Sequence, residues 1–250
     1  MTRLLKIFLR AFSVLVVIPA LLGGALFFLN QKGFFNLDRI EVLVDNGVLE
    51  SNYLKPQVEV VEKLVESQRG QSLWHMDLAN LQQQIQDLNW VESISLVRQW
   101  PSTLKVKIKP LDVKILLLTK KGQFFPIVRE GEVLNPIEIK NVPDAMILRG
   151  DAFQKNSELR KKAVAVLENI PVDGSFSKAQ ISEMSYKEKE GFWVTLIRTG
   201  VEVRLGEDLV PLKSARVSQV LDYLKSHQFE ARVIDADLSQ KVLVRLRKDP

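Results

Sequence analysis

At 250 residues, with 46% hydrophobic and 26% charged side chains, the chain is long enough for two modest domains with separate cores, and its make-up excludes a disordered or collagen-like protein. The net charge of +5 is a mild basic excess that suits nucleic acid, an anionic membrane surface or an acidic protein patch without separating them. The absence of cysteine excludes disulfides and thiolate chemistry.

The opening segment sets Arg3, Lys6 and Arg10 before an uncharged run from Ala11 to Leu29. At about 1.5 Å per residue a helix of that run crosses a bilayer core. Pro19 and the Gly23-Gly24 pair would weaken a helix in water but are tolerated in a bilayer. Positive residues before the run, against only Lys32 just after it, predict a cytoplasmic tail at 1–10, a transmembrane helix at 11–30, a juxtamembrane linker at 31–36 and the remainder on the far side. The alternative is a cleaved signal peptide. Gly23-Gly24-Ala25 supplies small residues for it, but Leu26 to Leu29 carries the apolar run past them.

Residues 37–110 then read as strand, helix, helix, strand, strand. Ile40, Val42 and Val44 alternate with Arg39, Glu41 and Leu43 up to a turn at Asp45-Asn46-Gly47. Pro56 suits a first helical turn, and Val58, Val61, Leu64 and Val65 form one stripe. Asp77 is placed to cap a second helix carrying Leu78, Leu81, Ile85 and Leu88. A hairpin follows: Ser93 to Arg98, a turn at Trp100-Pro101-Ser102, then Thr103 to Lys109, where Leu104, Val106 and Ile108 alternate with Lys105, Lys107 and Lys109. Two helices covering one face of a three-stranded sheet make a complete α+β domain. The lysine row is its uncovered face, either simply solvated or, together with Arg98, a surface for anionic lipid or an acidic partner.

The pattern changes after Pro110. Strands broken at Lys121-Gly122 and Glu130-Gly131 predict hairpins, with Pro126 and Pro136 limiting pairing. Ser157 is placed to cap a helix through Ile170. Three strands follow, with turns at Glu190-Gly191 and Thr199-Gly200. Pro211 opens a helix through His227 that sets Leu212, Val220, Leu221 and Leu224 toward the core. A last strand, Lys241 to Arg247, alternates Val242, Val244 and Leu246 with Leu243 and Arg245. The fold class is α+β: a transmembrane helix, a βααββ domain, then a mostly antiparallel β domain with packed helices at 111–250.

Catalysis has little to work with. His75 and His227 belong to no cluster with metal-ligand spacing, and no nucleophile elbow or phosphate-binding loop occurs. Asp235 and Asp237 share a strand face, but the plainer reading is solvation at a turn or strand edge. Trp74 and Trp90 read as core or helix-end anchors and Trp100 as packing over the turn; nucleic-acid stacking does not fit a segment outside the cytoplasm. No catalytic, metal, cofactor, nucleic-acid or small-molecule site is expected. What remains is protein binding. A terminal strand with an open edge accepts a strand from a partner, unless it is paired on both sides within its own sheet.

The segments FFNLDRIEV, LNWVESISLVRQWPSTLKVKI and VIDADLSQKVLVRL, with the short tail and single anchor, resemble the FtsQ/DivIB family of bacterial cell-division proteins. The most specific piece comprises Trp90, Val91, Val97, Arg98, Trp100, Pro101, Thr103 and Leu104. The resemblance implies a POTRA domain at 37–110, the family's β domain at 111–250, and a non-enzymatic scaffold of the inner membrane at the septum. It also implies FtsB- and FtsL-like partners and a part in regulating septal peptidoglycan synthesis, with an FtsB strand added along Lys241, Val242, Leu243, Val244, Arg245, Leu246 and Arg247, and with Asp237 and Leu238 before them as further partner-binding candidates. Two departures stand out: Lys109-Pro110-Leu111-Asp112 replaces a Glu-Arg-x-Pro type run, and Asp235-Ala236-Asp237-Leu238 replaces Asp-Leu-Arg-Tyr. Where an arginine is expected to meet an acidic partner group stands Asp237, so either the partner's charge differs or Arg245 or Arg247 takes that part. Rival readings are a POTRA factor of outer-membrane protein assembly or secretion, for which too little chain remains to build a barrel, and a secreted periplasmic enzyme.

Overall fold

The computed structural model describes residues 13–45, 51–238 and 240–247. The tail bearing Arg3, Lys6 and Arg10, and the turn expected at Asn46-Gly47, lie outside the described residues. The chain divides into two compact units, Met1–Asp45 with Lys55–Pro110, and Asn46–Leu54 with Leu111–Pro250.

The first unit opens with a π-helical turn, Ser13–Val17, that runs into helix α1, Ile18–Gln31. The stretch Val14–Gln31 is apolar and long enough to cross a membrane, and no part of it is buried. After α1 the backbone turns tightly: Lys32 N–H donates to Phe28 O, and Phe34 N–H to Leu29 O. Asn36 then bridges Ser72, and Leu73 N–H donates to Phe35 O, so the helix end is joined to the body of the unit by backbone hydrogen bonds.

Strand β1, Arg39–Val44, is followed by α2, Lys55–Glu66, and α3, Leu78–Gln86, then β2, Val91–Gln99, and β3, Thr103–Pro110. Asp77 caps α3, its carboxylate accepting from Asn80 N–H at 3.0 Å. The helix closes at Gln86, two residues before Leu88. The sheet order is β1-β3-β2. β3 pairs parallel with β1 and antiparallel with β2, because the two-helix connection brings the chain back as β2 against β1's direction and the short turn reverses it again into β3. Leu104, Val106 and Ile108 are fully buried with Val61, Val65, Leu81 and Ile85, each burial worth about 1.5–3 kcal/mol. On the other face Lys107 and Lys109 are exposed and Lys105 half-buried, with Lys109 paired to Glu92 at 2.8 Å. Exposed Leu43 and Val97 flank this row across the register.

The second unit is built on an eight-stranded sheet in the order β11-β10-β9-β8-β7-β6-β4-β5. Its strands are β4, Val113–Leu118, β5, Phe124–Val128, β6, Ile147–Arg149, β7, Ile181–Lys187, β8, Gly191–Leu196, β9, Glu202–Gly206, β10, Ala231–Asp235, and β11, Leu243–Leu246. The sheet is mixed. Four pairings are antiparallel and three parallel (β4 with β6, β6 with β7, β9 with β10). Two of the parallel pairs follow from helical crossovers: α4, Asp151–Lys155, with α5, Ser157–Glu168, joins β6 to β7, and α6, Val210–Ser226, joins β9 to β10. Helix and sheet residues share one core around Phe153, Phe176 and Phe192.

Four expectations are corrected here. Asn156, not Ser157, caps α5, accepting from Leu159 N–H at 3.0 Å; Ser157 is already helical. The helix ends at Glu168, before Ile170. Leu212 is exposed, because the buried stripe of α6 starts at Val210 and continues through Ser214, Val217 and Leu224, which turns position 212 to solvent. Past Gly131 the chain forms isolated bridges, Ile127 with Val133 and Phe124 with Ile137, in place of a further strand.

Candidate partner-binding edge

The last strand lies at one margin of the eight-stranded sheet. Register runs Asp235 to Leu243, Ile234 to Val244, Val233 to Arg245 and Ala231 to Leu246, with a bulge at Arg232. Lys241 and Val242 precede the strand, whose pairing with β10 begins at Leu243 opposite Asp235. Val242 and Val244 pack against the core, whereas Leu243, Arg245 and Leu246 are exposed. Arg247 follows the strand; its N–H donates to Glu230 O at 2.8 Å and its guanidinium pairs with the Glu230 carboxylate at 3.4 Å.

That backbone bond sets the polarity of the edge. Alternate residues of a strand point their N–H and C=O to opposite sides. With the Arg247 N–H directed inward, Leu243 and Arg245 also bond β10, and Val244 and Leu246 present theirs outward. The Ala236 N–H to Arg204 O bond agrees, since it puts the same side of β10 against β9. Among the described residues no strand pairs with the outer side of β11. The opposite margin is different: beyond β5, Leu134 N–H donates to Pro126 O and Ile137 N–H to Phe124 O, so residues 133–137 cover that edge. Pro126 fits there because it has no N–H to leave unpaired.

Behind β11 a groove of about 420 Å³ runs along α6, lined by Val220, Tyr223, Leu224, Phe229, Val244 and Leu246. At its end the His227 ring lies 4.1 Å from Tyr223 and 6.1 Å from Phe229 by centroid.

The turn that feeds β11 is pinned by charge. Asp237 accepts from Lys213 Nζ at 2.8 Å and from Arg204 at 2.9 Å, and Arg204 also reaches Asp235 at 3.2 Å. Lys213 is nearly fully buried and donates as well to Leu205 O and to Asp208, at 2.9 and 2.6 Å. Burial acts to lower its ammonium, but hydrogen bonds and charge from Asp208 and Asp237 outweigh that and hold it above the ordinary lysine value. Asp208 is held below the ordinary carboxylate value, first by the hydrogen bond from Lys213 and then by its charge. Gly206 completes the seat: with φ at +69°, a Cβ there would fall 1.9 Å from Asp237 Oδ1. Asp235 and Asp237 are therefore not freely solvated. Leu238 is half-buried beside them. Lys213 was missed in the sequence, although a lysine interrupting the apolar stripe of α6 is the signal that marks it.

Of the other candidates, Arg98 is separated from the lysine row. It lies opposite Leu104, on the helix-covered side, and its guanidinium donates to Leu73 O at 2.7 Å and Met76 O at 2.8 Å. Trp90 is buried as expected, but Trp74 is 55% exposed and packs at a tilt beside Trp100.

Comparison with known proteins places these features. Residues 52–109 match the family model "POTRA domain, FtsQ-type", and residues 116–237 match "Cell division protein FtsQ/DivIB, C-terminal", which ends just before β11. The chain is similar to the cell division protein FtsQ of Geotalea daltonii, 26% identical over 219 residues, covering 85% of this chain and 76% of that protein. It is also similar to FtsQ of Syntrophotalea carbinolica, 23% over 245 residues, covering 95% and 82%. DivIB of Solibacillus silvestris is 26% identical over 174 residues, covering 69% and 56%. With both family domains in order behind an apolar helix, the chain belongs to the FtsQ/DivIB family of cell-division proteins.

Proposed function

We propose that the chain is a bitopic scaffold of the inner membrane, concentrated at the septum, with residues 1–10 cytoplasmic and everything after α1 periplasmic. It joins FtsB- and FtsL-like division proteins and through them helps regulate septal peptidoglycan synthesis, without a catalytic step or cofactor of its own. Family membership supports the division role, and the single apolar helix supports the anchor.

The observation that carries the partner site is the open outer side of β11 beside the closed side of β5. A partner strand laid there gains main-chain bonds from Val244 and Leu246, while Leu243 and Arg245 on one face and the α6 groove on the other read its side chains. In this reading Asp237 and Leu238 hold the turn, and Lys241, Arg245 and Arg247 favour a partner bearing carboxylates. The lysines Lys105, Lys107 and Lys109 form a secondary candidate surface.

The test is co-purification of the membrane-embedded protein from its own cells. Val244→Pro removes one outward N–H without breaking a bond to β10, so it is expected to lower recovery of FtsB- and FtsL-like partners well below that of Val244→Ala. A chain ending at Gln240 is expected to lose them. Equal recovery from wild type and the truncated chain, with the unit still folded, moves the site away from β11.

A further inference from the structure

We propose that the first unit makes a second membrane contact, an aromatic patch at the foot of α1 that seats in the lipid headgroup region of the leaflet into which the helix emerges. This rests on the reading of Val14–Gln31 as a membrane anchor.

Four rings form the patch. Phe35 is buried at its centre, 8% exposed, with Phe34, Trp74 and Trp100 around it at 5.2, 5.8 and 5.9 Å between centroids. Trp74 and Trp100 lie 4.8 Å apart. Phe34, Trp74 and Trp100 are each about half exposed, at 50, 55 and 47%. Single exposed apolar side chains need no explanation, but three large half-exposed rings gathered around one buried ring form an apolar cluster at the surface.

Its position names the occupant. Phe34 and Phe35 follow the last residue of α1 by three and four positions, and Phe34 N–H still donates to Leu29 O of the helix. Trp74 and Trp100 are reached from Phe34 through one further ring. The apolar outer surface of α1, ending in Phe27, Phe28 and Leu29, is thus continued by the patch. The headgroup region extends about 5–7 Å beyond the hydrocarbon core on each side, and it favours tryptophan, whose ring is apolar and whose indole N–H still finds a polar partner. Lys32, with its ammonium 5.7 Å from the Phe28 ring centroid, suits the same depth, a charged head on an apolar stem.

The patch is also held in shape. Arg98 ties down both ends of the turn carrying Trp74, through Leu73 O and Met76 O. Asn36 and Ser72 bridge the segment after α1 to the same turn. A turn fixed from two sides keeps its tryptophan presented when a mobile one would let it fold away.

The experiment reconstitutes the full chain into phosphatidylethanolamine and phosphatidylglycerol vesicles, with or without lipid brominated near the headgroup end of the acyl chain. Of the four tryptophans only Trp74 and Trp100 belong to the patch, so bromolipid is expected to quench about half of the wild-type emission and almost none in Trp74→Phe/Trp100→Phe. Both side chains are about half exposed, and phenylalanine keeps an aromatic ring at each, so the variant is expected to fold, which circular dichroism checks. Emission insensitive to bromolipid in wild type, with the chain resisting an alkaline wash, overturns the aromatic contact and leaves the anchor standing. Release of the chain by that wash removes the anchor and this contact together. A blue shift that grows with protein density, in emission that bromolipid does not quench, overturns the proposal in favour of a second copy covering the patch.

Discussion

Lys213 donates to Asp237 across 2.8 Å, tying the first turn of α6 to the segment that leaves β10 for β11. The pair spans 24 residues of chain, and the Lys213 side chain is only 5% exposed. Lys213→Met keeps the volume and deletes the donor, leaving Leu205 O and part of Asp237 unsatisfied. We expect a loss of about 2 kcal/mol, short of the full cost of a wholly buried pair because Asp237 keeps Arg204. Asp237→Asn is expected to cost less, since Asp208 stays with Lys213. Denaturant titration of the detergent-solubilised chain measures both, and amide exchange at Leu243–Leu246 is expected to rise in step.

The same cluster predicts a pH profile. Asp208 is depressed from its ordinary 3.8, so its contribution is present above that value and lost as pH falls through its lower folded value. Lys213 is raised from 10.5, so its contribution is full below that value and lost as pH rises through its higher folded value. The difference in thermal midpoint between wild type and Lys213→Met is expected to hold constant from about pH 5 to 9 and to narrow at both extremes. A difference that changes through neutrality would assign the effect to another group.

Two glycines separate backbone strain from crowding. Gly200 has φ at +65° with nothing near its absent Cβ, so Gly200→Ala is expected to cost about 1 kcal/mol from the left-handed backbone alone. Gly206 has a similar φ but would drive its Cβ into Asp237, itself held by two cations. Gly206→Ala is expected to cost at least about 2 kcal/mol more and to free the start of β11. Calorimetry on the two variants checks the difference.

Arg98 and Lys107 are expected to behave oppositely. Arg98→Ala strips donors from two carbonyls of the Trp74 turn, costing about 1–3 kcal/mol and changing tryptophan emission. Lys107→Glu, on the open face, is expected to leave stability within about 0.5 kcal/mol. If the lysine row contacts a partner, it lowers partner recovery all the same, and co-purification beside denaturation separates the two effects.

Local pattern explains much of what the sequence revealed. Leu104, Val106 and Ile108 alternate with lysines because one sheet face is covered and the other is not, and Asp77 lies at a spacing only a helix start uses. β6 left no such trace: three residues are too few for a period, and they become a strand only because β4 and β7 lie on either side. The stripe of α6 was misjudged by a partial rotation because Lys213 occupies a core position that apolar counting discards. At the edge, the alternation from Val242 to Leu246 was readable. Its shorter length and outer position were not, since both depend on β10 pairing inward with β9.

The unequal margins of the large sheet limit what can be built from it. A strand joining at β11 finds no second site at β5, where residues 133–137 already occupy the hydrogen-bonding positions. Growth by strand addition therefore has a valence of one: it ends in a discrete pair, with a different chain or with a twofold copy, and cannot repeat head to tail into a filament.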